Sequence, residues 1–308
     1  MQEPPSLYHS DTLADRVAAA AAASPGRPAL IWHDRTITWG ELDARVDRAA
    51  RGFAALGLTG GNLPARVAIA LPNSPDFAVS LFGVLRAGLV AVPVNPAFTA
   101  RELRHVLADS GAAALVAGPD SRAAVEDLRA DLPALTAVLP EPPQPVAMPG
   151  PAATPAPGVD LAVLLYTSGT EGRPKGAMLS HGALIANQKQ VGAITPAVVG
   201  PDDVLLLALP LFHAYGLNSG LGAVAYHGAC GVLVDRFDPV DALEVVARHR
   251  VTAVVGVPSM FLGWSLLPDL GDAMADVRTA VCGAAPLDAA PRGGSPRPPG
   301  GPSSWDTG

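Results

Sequence analysis

Clustered basic charge is the first thing this sequence lacks. Lys and Arg number 21 against 28 Asp and Glu, the formal net charge is −7, and only 16% of residues are charged. No stretch gathers the Lys/Arg patch that a phosphate backbone demands, so nucleic acid is not an expected partner. Cysteine is nearly absent as well. Cys230 and Cys282 lie far apart in apolar surroundings and read as buried thiols rather than a disulfide or a metal site. Although 49% of residues are hydrophobic, no uninterrupted apolar run approaches the roughly 18 residues of a membrane-spanning helix. Asp11 and Asp15 lead into the alanine-rich stretch 17–23, whereas a secretory signal needs a basic start and a longer apolar core. The expected setting is cytoplasmic and reducing.

What is present is alternation. Helix-forming patterns are expected over 12–23, 39–56, 75–88, 100–110, 121–131, 182–190, 239–249 and 258–267. Apolar strand-like runs are expected at 66–71, 90–94, 113–117, 159–167, 204–209, 231–234, 253–257 and 279–282, with a short hairpin formed by 29–32 and 36–38 and an edge strand near 136–139. Strands alternating with amphipathic helices predict an α/β fold, with parallel sheets flanked by helices on both faces. Residues 133–157 are rich in Pro and Ala and read as an irregular connector.

The segment Tyr166-Thr167-Ser168-Gly169-Thr170-Glu171-Gly172-Arg173-Pro174-Lys175-Gly176 follows a buried strand. Gly169, Gly172 and Gly176 allow backbone N–H groups to approach an anion, Thr167, Ser168 and Thr170 supply hydroxyl donors, and Lys175 adds a point charge. A Walker loop requires glycine directly before its lysine and Ser or Thr directly after; here Pro174 precedes and Gly176 follows, which disfavours a P-loop NTPase.

This segment, continued by Ala177-Met178-Leu179-Ser180-His181, resembles the phosphate-loop signature of the adenylate-forming superfamily, which includes acyl-CoA synthetases, peptide-synthetase adenylation domains and luciferases. Glu171 departs from it, standing where many members carry Thr or Ser. It adds a negative charge that either weakens nucleotide binding or is neutralised by Arg173. Two further stretches resemble the family in order. Leu209-Pro210-Leu211-Phe212-His213-Ala214-Tyr215-Gly216-Leu217 is similar to the segment lining the carboxylate and acyl pocket, and Cys282-Gly283-Ala284-Ala285-Pro286-Leu287 to the turn contacting adenine.

The resemblance covers residues 7–290 and implies a partial AMP-binding domain over 1–290, made of two interleaved α/β subdomains, roughly 65–181 and 1–60 plus 182–290. It implies Lys175 and His213 as catalytic residues, and Thr167, Ser168, Gly169, Thr170, Glu171, Gly172, Lys175, Gly176, Gly283, Ala284, Ala285 and Pro286 as nucleotide contacts. Thr170 is implied as a magnesium contact. The reaction implied is ATP-dependent activation of a carboxylic acid, a fatty acid by the likeness of Phe212-His213, to acyl-AMP and then acyl-CoA, with ATP, Mg2+ and CoA as cofactor and co-substrates. Alternatives are a domain loading a carrier protein and a non-catalytic nucleotide-binding remnant.

Residues 291–308 carry no family pattern and are expected to be disordered. A forward shift of reading frame between Ala290 and Gly294, with permitted codons, restores Val-Val-Leu-Gly-Tyr-Gly, the start of the family's next motif. The expectation is therefore a frameshifted, truncated synthetase. The magnesium-binding glutamate, the ribose aspartate and the mobile C-terminal domain would lie beyond residue 308. Little or no ligase turnover and at most weak nucleotide binding are expected of this polypeptide.

Overall fold

The computed structural model describes residues 11–60, 63–144, 160–167 and 174–285. Helix α1 (Leu13–Ala23) opens on a reciprocal cap: Thr12 accepts from the Asp15 N–H while the Asp15 carboxylate accepts from the Thr12 N–H. After the hairpin β1 (Pro28–Trp32) and β2 (Arg35–Thr38), the pair Thr38 and Glu41 opens α2 (Trp39–Ala55) in the same way. The chain then alternates through β3 (Arg66–Ala70), α3 (Pro75–Arg86), β4 (Val90–Pro93), α4 (Ala100–Ser110), β5 (Ala114–Ala117) and α5 (Pro119–Glu126), followed by a 3-10 turn at Arg129–Asp131. Next come β6 (Ala137–Leu139), β7 (Leu161–Thr167), β8 (Lys175–Ser180), α6 (His181–Gly192) and β9 (Val204–Leu207). A π-helical stretch (Tyr215–Gly222) runs into α7 (Ala223–His227), then β10 (Cys230–Leu233), α8 (Pro239–Arg248), β11 (Ala253–Gly256), α9 (Pro258–Ser265), α10 (Leu270–Ala273) and β12 (Thr279–Cys282).

Two six-stranded sheets result, ordered β12-β11-β9-β10-β1-β2 and β6-β5-β3-β4-β7-β8. The expectation of parallel sheets needs one correction, because each ends in an antiparallel edge strand: β2 on β1, and β8 on β7. The other pairings are parallel, as the helical crossovers require.

The space between the sheets is filled by helices. α3 packs on β3 and β4, α2 packs on β1 and β2, and α2 and α3 pack on each other. Because α3 is enclosed on nearly every side, it is apolar all round: Phe77, Ala78, Val79, Leu81, Phe82, Val84 and Leu85 are all buried. Gly83 permits the close crossing, since a Cβ there would stand 2.8 Å from the Ala49 methyl of α2. On the other face of the second sheet, Leu103, Val106 and Leu107 of α4 and Val125 of α5 cover Ala68, Val92 and Leu115 in a separate core.

Cys230 is buried, but Cys282 is only partly so, correcting the reading of both as buried thiols. Its strand β12 is an edge of the first sheet, covered on one side only by β11. No helix among the described residues is long and apolar enough to cross a membrane. The tail 291–308, and with it the disorder expected there, lies outside the described residues.

Candidate nucleotide and acyl site

The glycine-rich segment connects two strands that pair with each other. β7 carries the chain out from a buried stretch (Leu161, Ala162, Val163, Leu165), and β8 returns antiparallel to it. Ser168, Gly169, Thr170, Glu171, Gly172 and Arg173 lie outside the described residues, so the stem defines the geometry. In the register, Thr167 stands opposite Lys175 and Tyr166 opposite Gly176. Directly opposed residues project to the same face with Cβ atoms about 5 Å apart, so the Thr167 hydroxyl and the Lys175 side chain flank one side of the hairpin mouth. A Walker loop leads into a helix, whereas this one leads into a strand.

Gly176 also meets a packing demand. A Cβ there would lie 3.1 Å from the Tyr166 ring, which crosses β8 at this position.

His213 follows β9 on a tight segment. Its N–H donates to the Pro210 carbonyl (3.1 Å), its own carbonyl accepts from Leu217 N–H (2.8 Å), and Gly216 is obligatory because a Cβ would stand 2.3 Å from the Pro210 oxygen. The widened π-helical turn beginning at Tyr215 is a form common at functional sites. The His213 side chain is exposed at its tip and rests against Phe212, ring centroids 4.7 Å apart. Partial burial holds its pKa below the ordinary histidine range, so the imidazole is neutral at physiological pH.

What fixes this segment is Asn73, a residue that the sequence reading missed. It is 3% exposed, and its side-chain amide donates to the carbonyls of Leu207 (3.2 Å) and Leu209 (2.9 Å) while its oxygen accepts from the Leu211 N–H (2.9 Å). Asn73 follows β3 in the second sheet, and the segment it holds follows β9 in the first.

The turn after β12 is tied to β11 by the Gly283 N–H, which donates to the Gly256 carbonyl (3.0 Å). Ala284 sits at φ 67°, a left-handed conformation unusual for alanine that costs about 1 kcal/mol or more. Gly283 faces Tyr215: a Cβ would come within 2.7 Å of the phenol oxygen. The structure therefore brings the His213 segment and the Gly283-Ala284-Ala285 turn together through Tyr215. That hydroxyl is buried with no hydrogen-bond partner among the described residues, and burial, then the neighbouring Cys282, raise its pKa. Pro286 lies outside the described residues.

Thr167, Asn73, the Leu209–Leu217 segment and Gly283 share one placement. Each lies at or just beyond the carboxyl end of a strand that pairs in parallel with at least one neighbour, and Asn73 bridges the carboxyl ends of the two sheets. In open α/β sheets ligands bind outside such strand ends. Among the described residues no three His, Cys, Asp or Glu side chains are grouped to hold a metal ion, and Thr170 lies outside them.

Two six-stranded sheets, a β7–β8 pair with Lys175 at its mouth, and loops at the strand ends define a two-sheet α/β domain. The chain belongs to the AMP-binding enzyme family, whose model matches residues 17–292. It is 38% identical over 277 residues to a feruloyl-CoA synthase of Amycolatopsis sp, covering 87% of this chain and 53% of that protein. It is 34% identical over 264 residues to 4-coumarate–CoA ligase 5 of Oryza sativa subsp. japonica, covering 82% and 48%. Among solved structures, it matches the inhibitor-bound N-terminal domain of FACL13 from Mycobacterium tuberculosis with a TM-score of 0.76 at 26% identity, covering 90% of this chain and 70% of that one. It also matches ATP-bound MatB from Rhodopseudomonas palustris with a TM-score of 0.77 at 29% identity, covering 89% and 55%. The chain spans about half the length of these curated relatives.

Proposed function

We propose that this chain supplies the ATP-phosphate and acyl-carboxylate contacts of an acid–CoA ligase that works through an acyl-adenylate. In the first half-reaction a carboxylate oxygen attacks the α-phosphorus of ATP, the bond to the β-phosphate bridging oxygen breaks, and acyl-AMP and pyrophosphate form. In the second, the CoA thiol attacks the acyl carbonyl, loses its proton, and expels AMP.

The difficulty of the first half is charge, because carboxylate and triphosphate repel. On this reading the Thr167 hydroxyl, the Lys175 ammonium and the amides of the loop 168–173 carry the β- and γ-phosphates. A preorganised donor of this kind is worth about 3–4 kcal/mol of barrier. His213, neutral and set beside Phe212, offers the incoming carboxylate a hydrogen-bonding group without a competing charge. Gly283, Ala284 and Ala285 form the adenine-side backbone. Magnesium arrives with ATP and would lower the charge on its phosphates. The residues 65–181 and the remainder up to 290 act as two subdomains whose strand ends meet at the nucleotide.

The observation that carries this reading is the hairpin register placing Thr167 opposite Lys175 at the mouth of the glycine loop, within a chain of the AMP-binding family. For the acid, the names of the feruloyl-CoA synthase and the 4-coumarate–CoA ligase favour a hydroxycinnamate, although a sulfoacetate–CoA ligase matches at 34% identity as well. The structure of a fatty acyl CoA synthetase of Mycobacterium tuberculosis matches at lower identity, and a fatty acid is the competing substrate. ATP binding by calorimetry together with ATP–pyrophosphate exchange tests the proposal, run with ferulate, coumarate, a fatty acid or no acid. Exchange that depends on one acid class identifies the substrate. ATP binding without exchange supports the nucleotide-binding remnant, and no ATP binding refutes the proposal. A downstream carrier domain that accepts the acyl group in place of CoA would support the carrier-loading alternative.

A further inference from the structure

The hairpin that presents Thr167 and Lys175 is held from outside by one turn of α4. His105 and Asp109 are spaced i, i+4 and so lie on the same helix face. His105 Nε2 lies 2.9 Å from the Pro174 carbonyl oxygen; since a carbonyl only accepts, Nε2 is the donor. The Tyr166 hydroxyl donates to Asp109 Oδ2 at 2.6 Å. One bond thus grips the outgoing leg immediately before Thr167, and the other grips the returning leg immediately before Lys175. The His105 and Tyr166 rings meet edge to face, centroids 6.4 Å apart and planes at 86°. The bareness of Gly176 is what lets the Tyr166 ring reach across β8 to the helix.

The bracket is itself rigid. Thr99 and Glu102 form a reciprocal cap at the start of α4, Leu103, Val106 and Leu107 are buried against the sheet, and Ser110 Oγ donates to the Val106 carbonyl (2.6 Å). Burial first, then the bond to Asp109, drives the Tyr166 pKa up, so the phenol remains a protonated donor at every physiological pH.

We propose that His105, Asp109 and Tyr166 are positioning residues for triphosphate binding, preorganising the hairpin legs so that Thr167 and Lys175 meet the phosphates without a separate ordering cost. None of the three touches the nucleotide. Held in advance, the stem spares the entropy that binding would otherwise consume. The inference rests on the reading of 166–176 as a phosphate loop, and the test separates the two.

The measurement is the ratio of ATP to AMP affinity, by calorimetry on the full chain, for wild type, Tyr166→Phe, His105→Ala, His105→Gln and the double variant Tyr166→Phe/His105→Ala. Losing one net hydrogen bond corresponds to about a five-fold change in affinity. ATP affinity is expected to fall about five-fold in Tyr166→Phe and in His105→Ala, and further in the double variant, with AMP affinity unchanged because AMP does not reach the hairpin. His105→Gln, whose amide still donates to the Pro174 carbonyl, is expected to recover most of the loss. Amide hydrogen exchange over residues 160–180 is expected to quicken in the variants that lose a bond. Unchanged ATP affinity, or ATP and AMP affinities falling together, overturns the clamp. A wild type that binds ATP no better than AMP removes the phosphate-loop reading and the clamp's role in binding with it; exchange that still quickens in Tyr166→Phe then shows α4 holding a hairpin that serves no nucleotide.

Discussion

Asn73→Ala isolates what holds the His213 segment in place. The side chain makes three hydrogen bonds while 3% exposed, so water does not replace them when it is cut away. The Leu207 carbonyl keeps a partner in the Val234 N–H, but the Leu209 carbonyl and Leu211 N–H are left buried and unpaired. At about 1–3 kcal/mol for each orphaned group, a loss of about 3 kcal/mol is expected, a large share of a typical total of about 5–15. Asn73→Asp is nearly the same shape but worse at neutral pH, because it replaces the donating amide by a carboxylate oxygen facing two carbonyl oxygens. That repulsion raises the folded-state pKa of the new acid above its unfolded value of about 4. The penalty is therefore absent below about pH 4, where both states are protonated, grows as pH rises, and is complete above the raised folded pKa. Guanidinium denaturation between pH 5 and 8 reads this directly: Asn73→Asp should be less stable than Asn73→Ala at pH 8, with the gap narrowing toward pH 5. An Asn73→Ala variant within 0.5 kcal/mol of wild type, or an Asn73→Asp variant whose deficit does not change with pH, refutes the argument.

Three further outcomes can be measured on the same protein. Gly283→Ala is expected to destabilise by about 1–3 kcal/mol, because its methyl would stand 2.7 Å from the Tyr215 oxygen and 2.9 Å from the ring carbon that bears it, and the cost should shrink in a Tyr215→Ala background, where the ring is gone; additive effects in the double variant would refute the contact. Asp203 is buried, which alone would raise its pKa, yet hydrogen bonds from Arg278, Thr252 and the Gly200 N–H hold it below the ordinary carboxylate range. Its contribution is therefore present above pH 4 and lost as pH falls through the lower folded pKa, and Asp203→Asn should cost about 2–3 kcal/mol at pH 7, discounted because the Arg278 side chain is 40% exposed. Iodoacetamide at pH 8 should alkylate Cys282 well before Cys230, whose thiol is buried and pushed up to about 11; mass spectrometry of partially modified protein distinguishes the two.

Much of the fold was legible because apolar periodicity reports burial. α2 and α4 each show a clear apolar face behind a Thr-x-x-Glu cap, and the core strands are short apolar runs. β8 was invisible for the same reason: Lys175, Gly176, Ala177 and Met178 are all exposed on an edge strand, so its pairing leaves no pattern in the sequence. The π-helical stretch was missed because Gly216, Gly220 and Gly222 depress helical propensity. The helix expected over 121–131 starts earlier, at Pro119, whose fixed φ suits a first helical position, and breaks after Glu126 into a 3-10 turn. At the site, the motif residues announced themselves by order and spacing, whereas their supports did not. Asn73 reaches a carbonyl 136 residues away, His105 one 69 away, and Asp109 a phenol 57 away, separations that no local pattern encodes.

The motif glycines join these two levels. Read as sequence, Gly176 and Gly283 are nucleotide contacts, and Gly216 is one more motif glycine. In the structure the chain itself passes close to each: the Tyr166 ring at 3.1 Å from a Cβ on Gly176, the Pro210 carbonyl at 2.3 Å on Gly216, and the Tyr215 oxygen at 2.7 Å on Gly283. Two of the three contacts are made by tyrosines that belong to the motifs. Tyr166 ties the phosphate hairpin to α4, and Tyr215 ties the His213 segment to the turn after β12. The glycine spacing that resembles a catalytic signature therefore also meets, in its described part, the packing demands of the supporting loops. A close match to such a signature is evidence first that the scaffold is built correctly. Chemistry follows only where the remaining donors, Thr167 and Lys175 among them, are brought to bear on a bound nucleotide.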